Sequence, residues 1–201
     1  MIDMSAILGC LLSYLIGSIP TGLILGKLLW GVDLREHGSH NIGATNAWRT
    51  LGKGPGITIF LLDFLKGVIG VALGMYFAGT PLMMVLGGIM AIVGHSWSIL
   101  LKFKGGKGVA TGLGVIVMLM PSTALMVFLI WFVIVLITKY VSLGSIVAAA
   151  CVPLFAWLFD QPCEYIAFSV LAAVFVIYRH KTNIGRLLKG TESKIKAGHR
   201  T

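Results

Sequence analysis

The chain has 201 residues, of which 57% are hydrophobic and only 11% charged, and its mean hydropathy is +0.95. Such a composition excludes an ordinary soluble globular domain and marks an integral membrane protein. The net charge of +9 raises nucleic acid as a partner, but the Lys and Arg are spread through short loops between apolar runs, the pattern of a cytoplasmic membrane face and not of a nucleic-acid surface.

Apolar runs occupy 4–29, 55–78, 81–101, 108–120, 121–138, 143–159 and 164–178. A crossing helix needs about 20 apolar residues, so the expected fold is all-α: one polytopic transmembrane helix bundle covering 1–201 as a single domain. The first run lacks a basic leading region and reads as a retained span, not a cleaved signal. The run 108–120 reaches only about 20 Å, which suits either a re-entrant helix or a short full crossing.

Charge separates these. Arg35, Arg49 and Lys53 follow the first run, Lys102, Lys104 and Lys107 the third, Lys139 the fifth, and Arg179 and later cations the seventh. If 108–120 crosses, all of them share one side, while Asp3, Asp160 and Glu164 occupy the other. The positive-inside rule then predicts about seven crossings with the N-terminus outside and the C-terminus cytoplasmic, with five crossings as the remaining alternative. Gly22 with Gly26, and Gly70 with Gly74, have the spacing for close helix packing in lipid. Cys10, Cys151 and Cys163 are odd in number and lack metal spacing, so neither a disulfide framework nor a metal site is expected.

Three cytoplasmic stretches have a composition that spans do not need. In the first, 32–54, Gly38, Ser39, Asn41, Gly43, Thr45 and Asn46 crowd together without helical periodicity, which suits tight turns whose donors converge on an anion. Thr45 or Asn46 could cap a short helix carrying Arg49, whose planar fork binds phosphate through two hydrogen bonds. The second is "FKGGKGVAT" (103–111). It is neither a Walker A loop nor GxGxxG, yet Gly105 and Gly106 let the backbone approach a ligand, Lys104 and Lys107 bring charge, and a helix expected to start near Lys107 points its N-terminus at the same place.

In the third, "RHKTNIGRLLKGTESK" (179–194), His180, Asn183 and Arg186 follow one another at single turns and can share a helical face, with Glu192 read as a structural ion-pair partner. Ser142, beside Lys139, is either a helix cap or a ligand contact. Asp63 and Lys66 stand three apart inside the second run and read as a buried ion pair that fixes helix packing. His95 lies near the inner end of the third run. No histidine is followed five positions later by aspartate, no G-x-S-x-G elbow exists, and no cysteine lies in the cytoplasmic stretches, so a covalent acyl-enzyme is not expected.

Together, "GSHNIGATN" (38–46) with Arg49, the block from Gly94-His95 to "FKGGKGVAT", "RHKTNIGRLLKGTE" (179–192) and the "DFLKG" at 63–67 resemble the bacterial acyl-phosphate-dependent glycerol-3-phosphate acyltransferases, the PlsY family. The resemblance runs along nearly the whole chain. It implies transfer of an acyl group from fatty acyl phosphate to the 1-hydroxyl of sn-glycerol 3-phosphate, giving lysophosphatidic acid and inorganic phosphate, the first step of bacterial phospholipid synthesis. It further implies no cofactor, no acyl-CoA, a bacterial inner-membrane location and a site facing the cytoplasm among membrane lipids. Ser39, Arg49, His180 and Asn183 would be catalytic. Asn41, Gly43, Thr45, Asn46, Lys104, Gly105, Gly106, Lys107, Gly108 and Ser142 would bind substrate, and Asp63, Lys66 and Glu192 would be structural. From another class, the alternative is a transporter or channel for small phosphorylated anions; it would need a second, outer gate, and the short outer loops hold no cation to form one.

Overall fold

A computed structural model describes residues 4–195. Asp3 of the topology argument and the last basic residues, Lys196 and Arg200, lie outside them. All regular structure among the described residues is helical: α1 (Met4–Ser18), α2 (Thr21–Trp30), α3 (Ala44–Leu51), α4 (Lys53–Ala78), α5 (Pro81–Ser96), a 3-10 turn (Ile99–Leu101), α6 (Val109–Leu119), α7 (Pro121–Thr138), α8 (Val141–Leu158), α9 (Cys163–Arg179) and α10 (Lys181–Leu188). Five segments are long and apolar enough to cross a bilayer, or six if α9 and α10, bent by 58°, count as one. Val109–Leu119 is apolar but short, about 16 Å at 1.5 Å per residue.

The expected spans and the helices differ at two places. The run 4–29 is broken between Ser18 and Thr21, because Pro20 has no N–H to give and pushes Ile19 out of helical backbone. The carbonyls at the break take donors from elsewhere: Ser98 Oγ donates to Ser18 O at 2.5 Å, and Lys66 Nζ at 2.6 Å joins Thr21 N at 3.0 Å on Ile19 O. In hydrocarbon, where no water can replace them, bonds of this kind make a broken span tolerable. The run 81–101 likewise stops being α-helix at Ser96, and Ser98, the partner of Ser18, begins the 3-10 turn.

Backbone packing divides the chain into two compact units that meet in sequence at Val115 and Ile116. In the first, α1, α4 and α5 pack against one another. Gly70 and Gly74 of α4 meet Gly87 and Met83 of α5 backbone to backbone, the close approach that their spacing suggests. Gly22 and Gly26 serve differently, seating the loop after α2, since a Cβ there would strike Ile42 O and Val32 O. Leu34, Ala47 and Ile59 form a fully covered cluster with Leu25, Trp30, Ala44 and Leu51 packed around it, which fixes the first polar stretch and α3 onto α4.

In the second unit, α7, α8 and α9 pack in succession and α10 lies against α8 and α9. Leu125, Leu129, Phe132 and Leu136 of α7, and Leu171 and Val174 of α9, are exposed large apolar side chains, the lipid-facing counterpart of a buried helix face.

Candidate active site

The first polar stretch is organised by one side chain. Asn46, 2% exposed on α3, donates from Nδ2 to Leu34 O (3.0 Å), His37 O (3.0 Å) and Asn41 O (2.8 Å), and its Oδ1 accepts from Ser39 N at 2.9 Å. Gly38 has φ +59°, and a Cβ there would meet Asn46 Oδ1, so this position takes only glycine. Asn41 Oδ1 accepts from Gly43 N at 2.9 Å. Helix α3 begins at Ala44 with Gly43 as its N-cap, so neither Thr45 nor Asn46 caps it. The Asn46 amide, expected among substrate contacts, holds the loop in shape, while Ser39 is exposed and Arg49 half-buried one turn further along α3.

Asp33 begins this stretch. Its carboxylate pairs with Arg35 through Arg35 Nε to Oδ1 at 3.0 Å and Arg35 Nη2 to Oδ2 at 2.6 Å, and with Lys27 Nζ at 3.0 Å. The hydrogen bond from Arg35 holds the Asp33 carboxyl well below the ordinary carboxylate range, and the same bond raises Arg35.

The glycine-rich loop is fastened to the C-terminal end of α5. Gly105 N donates to Ser96 O at 3.1 Å and Gly106 N to His95 O at 3.1 Å, so these two amides cap carbonyls of α5. A Cβ at Gly105 would strike the His95 carbonyl, and one at Gly106 the Nε2 edge of the His95 ring. The room left by the missing side chains is thus filled by His95. On its other side, His95 Nδ1 faces Asp63 Oδ1 at 3.5 Å. Asp63 Oδ1 also accepts from Lys66 Nζ at 2.6 Å and Thr21 Oγ1 at 2.6 Å. Lys104 is exposed and Lys107 half-buried, and α6 starts at Val109, two residues later than Lys107.

In the second unit the node is a carboxylate. Glu192, 6% exposed, accepts at Oε1 from Ser142 Oγ (2.8 Å) and Asn183 Nδ2 (2.8 Å), and at Oε2 from Arg186 Nε (2.6 Å). Burial alone would raise the Glu192 carboxyl, but the bonds from Arg186, Ser142 and Asn183 outweigh it and leave it below its ordinary value. Ser142 lies inside α8, whose N-cap position is Tyr140, so its hydroxyl serves Glu192 and not a helix end. His180, 3% exposed at the bend between α9 and α10, makes a 2.7 Å bond from Nδ1 to Val176 O. A carbonyl can only accept, so Nδ1 carries the proton and in the neutral ring the lone pair lies on Nε2.

Three members of these arrangements were not visible in the sequence: Thr21, the Ile19 carbonyl and Ser98. The Pro20 inside the first apolar run is the one signal that could have pointed to them. Among the described residues no group of three His, Cys, Asp or Glu could hold a metal.

A family described as glycerol-3-phosphate acyltransferase matches residues 7–190. The glycerol-3-phosphate acyltransferase of Desulforamulus reducens is 47% identical over 97% of this chain and 98% of its own length, and glycerol-3-phosphate acyltransferase 2 of Moorella thermoacetica is 49% identical over 94% and 97%. The crystal structure of PlsY (YgiH), an integral membrane glycerol 3-phosphate acyltransferase, in its glycerol 3-phosphate form superposes with a TM-score of 0.91 at 42% identity, covering 96% of both chains. Its lysophosphatidic acid form gives 0.88 at 41% identity with the same coverage. A match of this extent, carried by sequence and structure alike, places the chain in the glycerol-3-phosphate acyltransferase family.

Proposed function

We propose that this protein transfers the acyl group of a fatty acyl phosphate to the 1-hydroxyl of sn-glycerol 3-phosphate, releasing lysophosphatidic acid and inorganic phosphate. The observation that carries the reading is the near full-length match to an acyltransferase whose solved forms are named for glycerol 3-phosphate and lysophosphatidic acid. Membership of that family displaces the transporter alternative. Seven crossings with the C-terminus inside, a bacterial inner-membrane setting and one acyltransferase domain facing the cytoplasm complete the reading; the loop cations, which fall on one side when 108–120 crosses, support the seven-crossing form.

Both substrates carry a phosphate, so the enzyme must gather several negative charges. Lys104, the first-turn amides of α6 and the positive end of that helix take the phosphate of glycerol 3-phosphate. Arg49 and Ser39, on the frame that Asn46 holds, take the acyl phosphate. An acyl phosphate is a mixed anhydride whose phosphate is already a good leaving group, so the hydroxyl attacks directly: a C–O ester bond forms, the acyl C–O bond to phosphate breaks, and the electron pair leaves on phosphate. The work left to the protein is positioning and neutralisation of the developing oxyanion.

Two groups can accept the hydroxyl proton, Nε2 of His180 and a substrate phosphate oxygen, whose second pKa lies near 6. His180→Ala tests the first: retention of most of kcat removes His180 from the mechanism and leaves the phosphate as acceptor, and loss of turnover with unchanged KM values makes His180 the base or a necessary donor. The reading itself is tested with purified protein, glycerol 3-phosphate and either palmitoyl phosphate or palmitoyl-CoA. Phosphate release that needs both substrates and yields lysophosphatidic acid is expected with the first donor. Turnover with the CoA donor alone would overturn acyl-phosphate dependence.

A further inference from the structure

The glycine loop rests on side chains that no chemical step above uses. We infer that Thr21, Asp63 and His95 form a positioning network beneath Gly105 and Gly106, with Lys66 as its counter-ion, and that through the loop it governs affinity for glycerol 3-phosphate. This rests on the assignment of the loop to that substrate.

The network is buried and its geometry is specific. Asp63, Lys66 and His95 are 2%, 4% and 6% exposed inside helices that cross the membrane, where an ionisable group is costly and is kept only with a partner. Lys66 alone explains part of it, since its ammonium neutralises Asp63 and donates to the Ile19 carbonyl at the helix break. That accounts for a lysine and a counter-ion. It does not account for an imidazole on the other side of Asp63, with one ring edge turned to the carboxylate and the opposite edge occupying the place of a side chain at Gly106.

His95 therefore touches the loop twice, by its carbonyl to Gly106 N and by its ring against the Gly106 Cα. Asp63 stands 3.5 Å from Nδ1 of that ring, close enough to favour one rotation of it, and Thr21 holds Asp63 with a 2.6 Å hydrogen bond. A ring held this way sets how deep the loop lies, and so where Lys104 and the start of α6 stand. A displacement of the order of 1 Å in such a support is enough to weaken binding of a bound phosphate. None of these residues touches the reacting atoms in this scheme, so they are positioning residues.

Steady-state kinetics and thermal melting of the purified full-length protein decide the matter. His95→Ala removes the ring, and His95→Asn keeps a donor toward Asp63 while removing the edge beneath Gly106. Both are expected to raise the KM for glycerol 3-phosphate by about tenfold while kcat and the palmitoyl phosphate KM stay within about threefold. Gly106→Ala should do the same. The double variant Gly106→Ala/His95→Ala should be no worse than His95→Ala alone, because the ring that the new Cβ would meet is gone.

Because Asp63→Asn leaves a buried Lys66 without its counter-charge and endangers folding, the paired change Asp63→Asn/Lys66→Met tests the carboxylate, and the same KM rise is expected. Lowered melting with wild-type KM values would make the network merely structural and overturn the inference. So would additive effects in the Gly106/His95 double variant. Lys104→Ala distinguishes the two layers. If it raises the glycerol 3-phosphate KM while the His95 variants do not, only this inference falls; if it raises the palmitoyl phosphate KM instead, the loop assignment falls with it.

Discussion

Two polar segments of this protein are each tied together by one buried side chain, and the two ties differ in kind. The loop 33–46 closes on Asn46, a neutral amide making four hydrogen bonds to main-chain atoms of the loop. The turn 180–192 closes on Glu192, a carboxylate that gathers three side chains from α8 and α10. An amide that donates to carbonyls and accepts from an N–H reads backbone shape and is indifferent to pH. A carboxylate that accepts from a hydroxyl, an amide and a guanidinium reads side chains and works only while ionised.

The contrast is open to attack by substitution, and the largest effect belongs to the neutral tie. Asn46→Asp keeps the acceptor for Ser39 N but sets a carboxylate against three carbonyls, so about 3 kcal/mol of stability should be lost, together with most activity, seen as a lower melting temperature. If Asn46→Asp melts like wild type, the amide does not hold the loop.

Arg49→Lys comes next. It keeps the charge but loses the fork, and kcat/KM should fall between about tenfold and a hundredfold. Unchanged kcat/KM would make Arg49 a headgroup anchor.

Glu192→Gln should cost about 2 kcal/mol through the charged bond to Arg186, with a pH signature that Asn46 variants lack. Since the folded carboxyl lies below its ordinary value, its stabilisation is complete at neutral pH and drains away as pH falls through the carboxylate range. Wild-type melting should therefore decline below about pH 5, and Glu192→Gln should decline less. An identical slope in both would remove Glu192 as the charged tie.

The smallest effect is expected at Asp33→Asn. Its partners Lys27 and Arg35 are 53% and 48% exposed, and pairs of that kind contribute about 1 kcal/mol or less. A melting change as large as that of Glu192→Gln would show that partner exposure does not decide between the two pairs.

Much of this architecture was legible without coordinates. Apolar runs locate helices because transfer of side chains into lipid is read residue by residue, and the runs at 121–138, 143–159 and 164–178 fall within two residues of α7, α8 and α9 at their ends. The same sum is blind to backbone, which is why 4–29 looked continuous despite Pro20. The polar stretches stood out because 38–46 and 104–108 have compositions no span needs. What each residue does there was not legible. Asn46 looks like a ligand donor until three carbonyls are found on its amide, Gly106 looks like an opening until His95 is found filling it, and Ser142 meets Glu192 across fifty positions of sequence. Those are facts of tertiary contact, and no local pattern encodes them.

The Asp63–Lys66 pair has a meaning for how the protein is made. The two residues stand three positions apart on α4, so each has its counter-ion on the same helix. During insertion α4 must leave the aqueous phase with a buried amine and a buried carboxylate, each costing about 3 kcal/mol at the bilayer centre if it stood alone. A partner on another helix could offset that only after both had been threaded and had met. Because α4 brings its own neutraliser, its partition into lipid does not have to wait for a partner on α2 or α5.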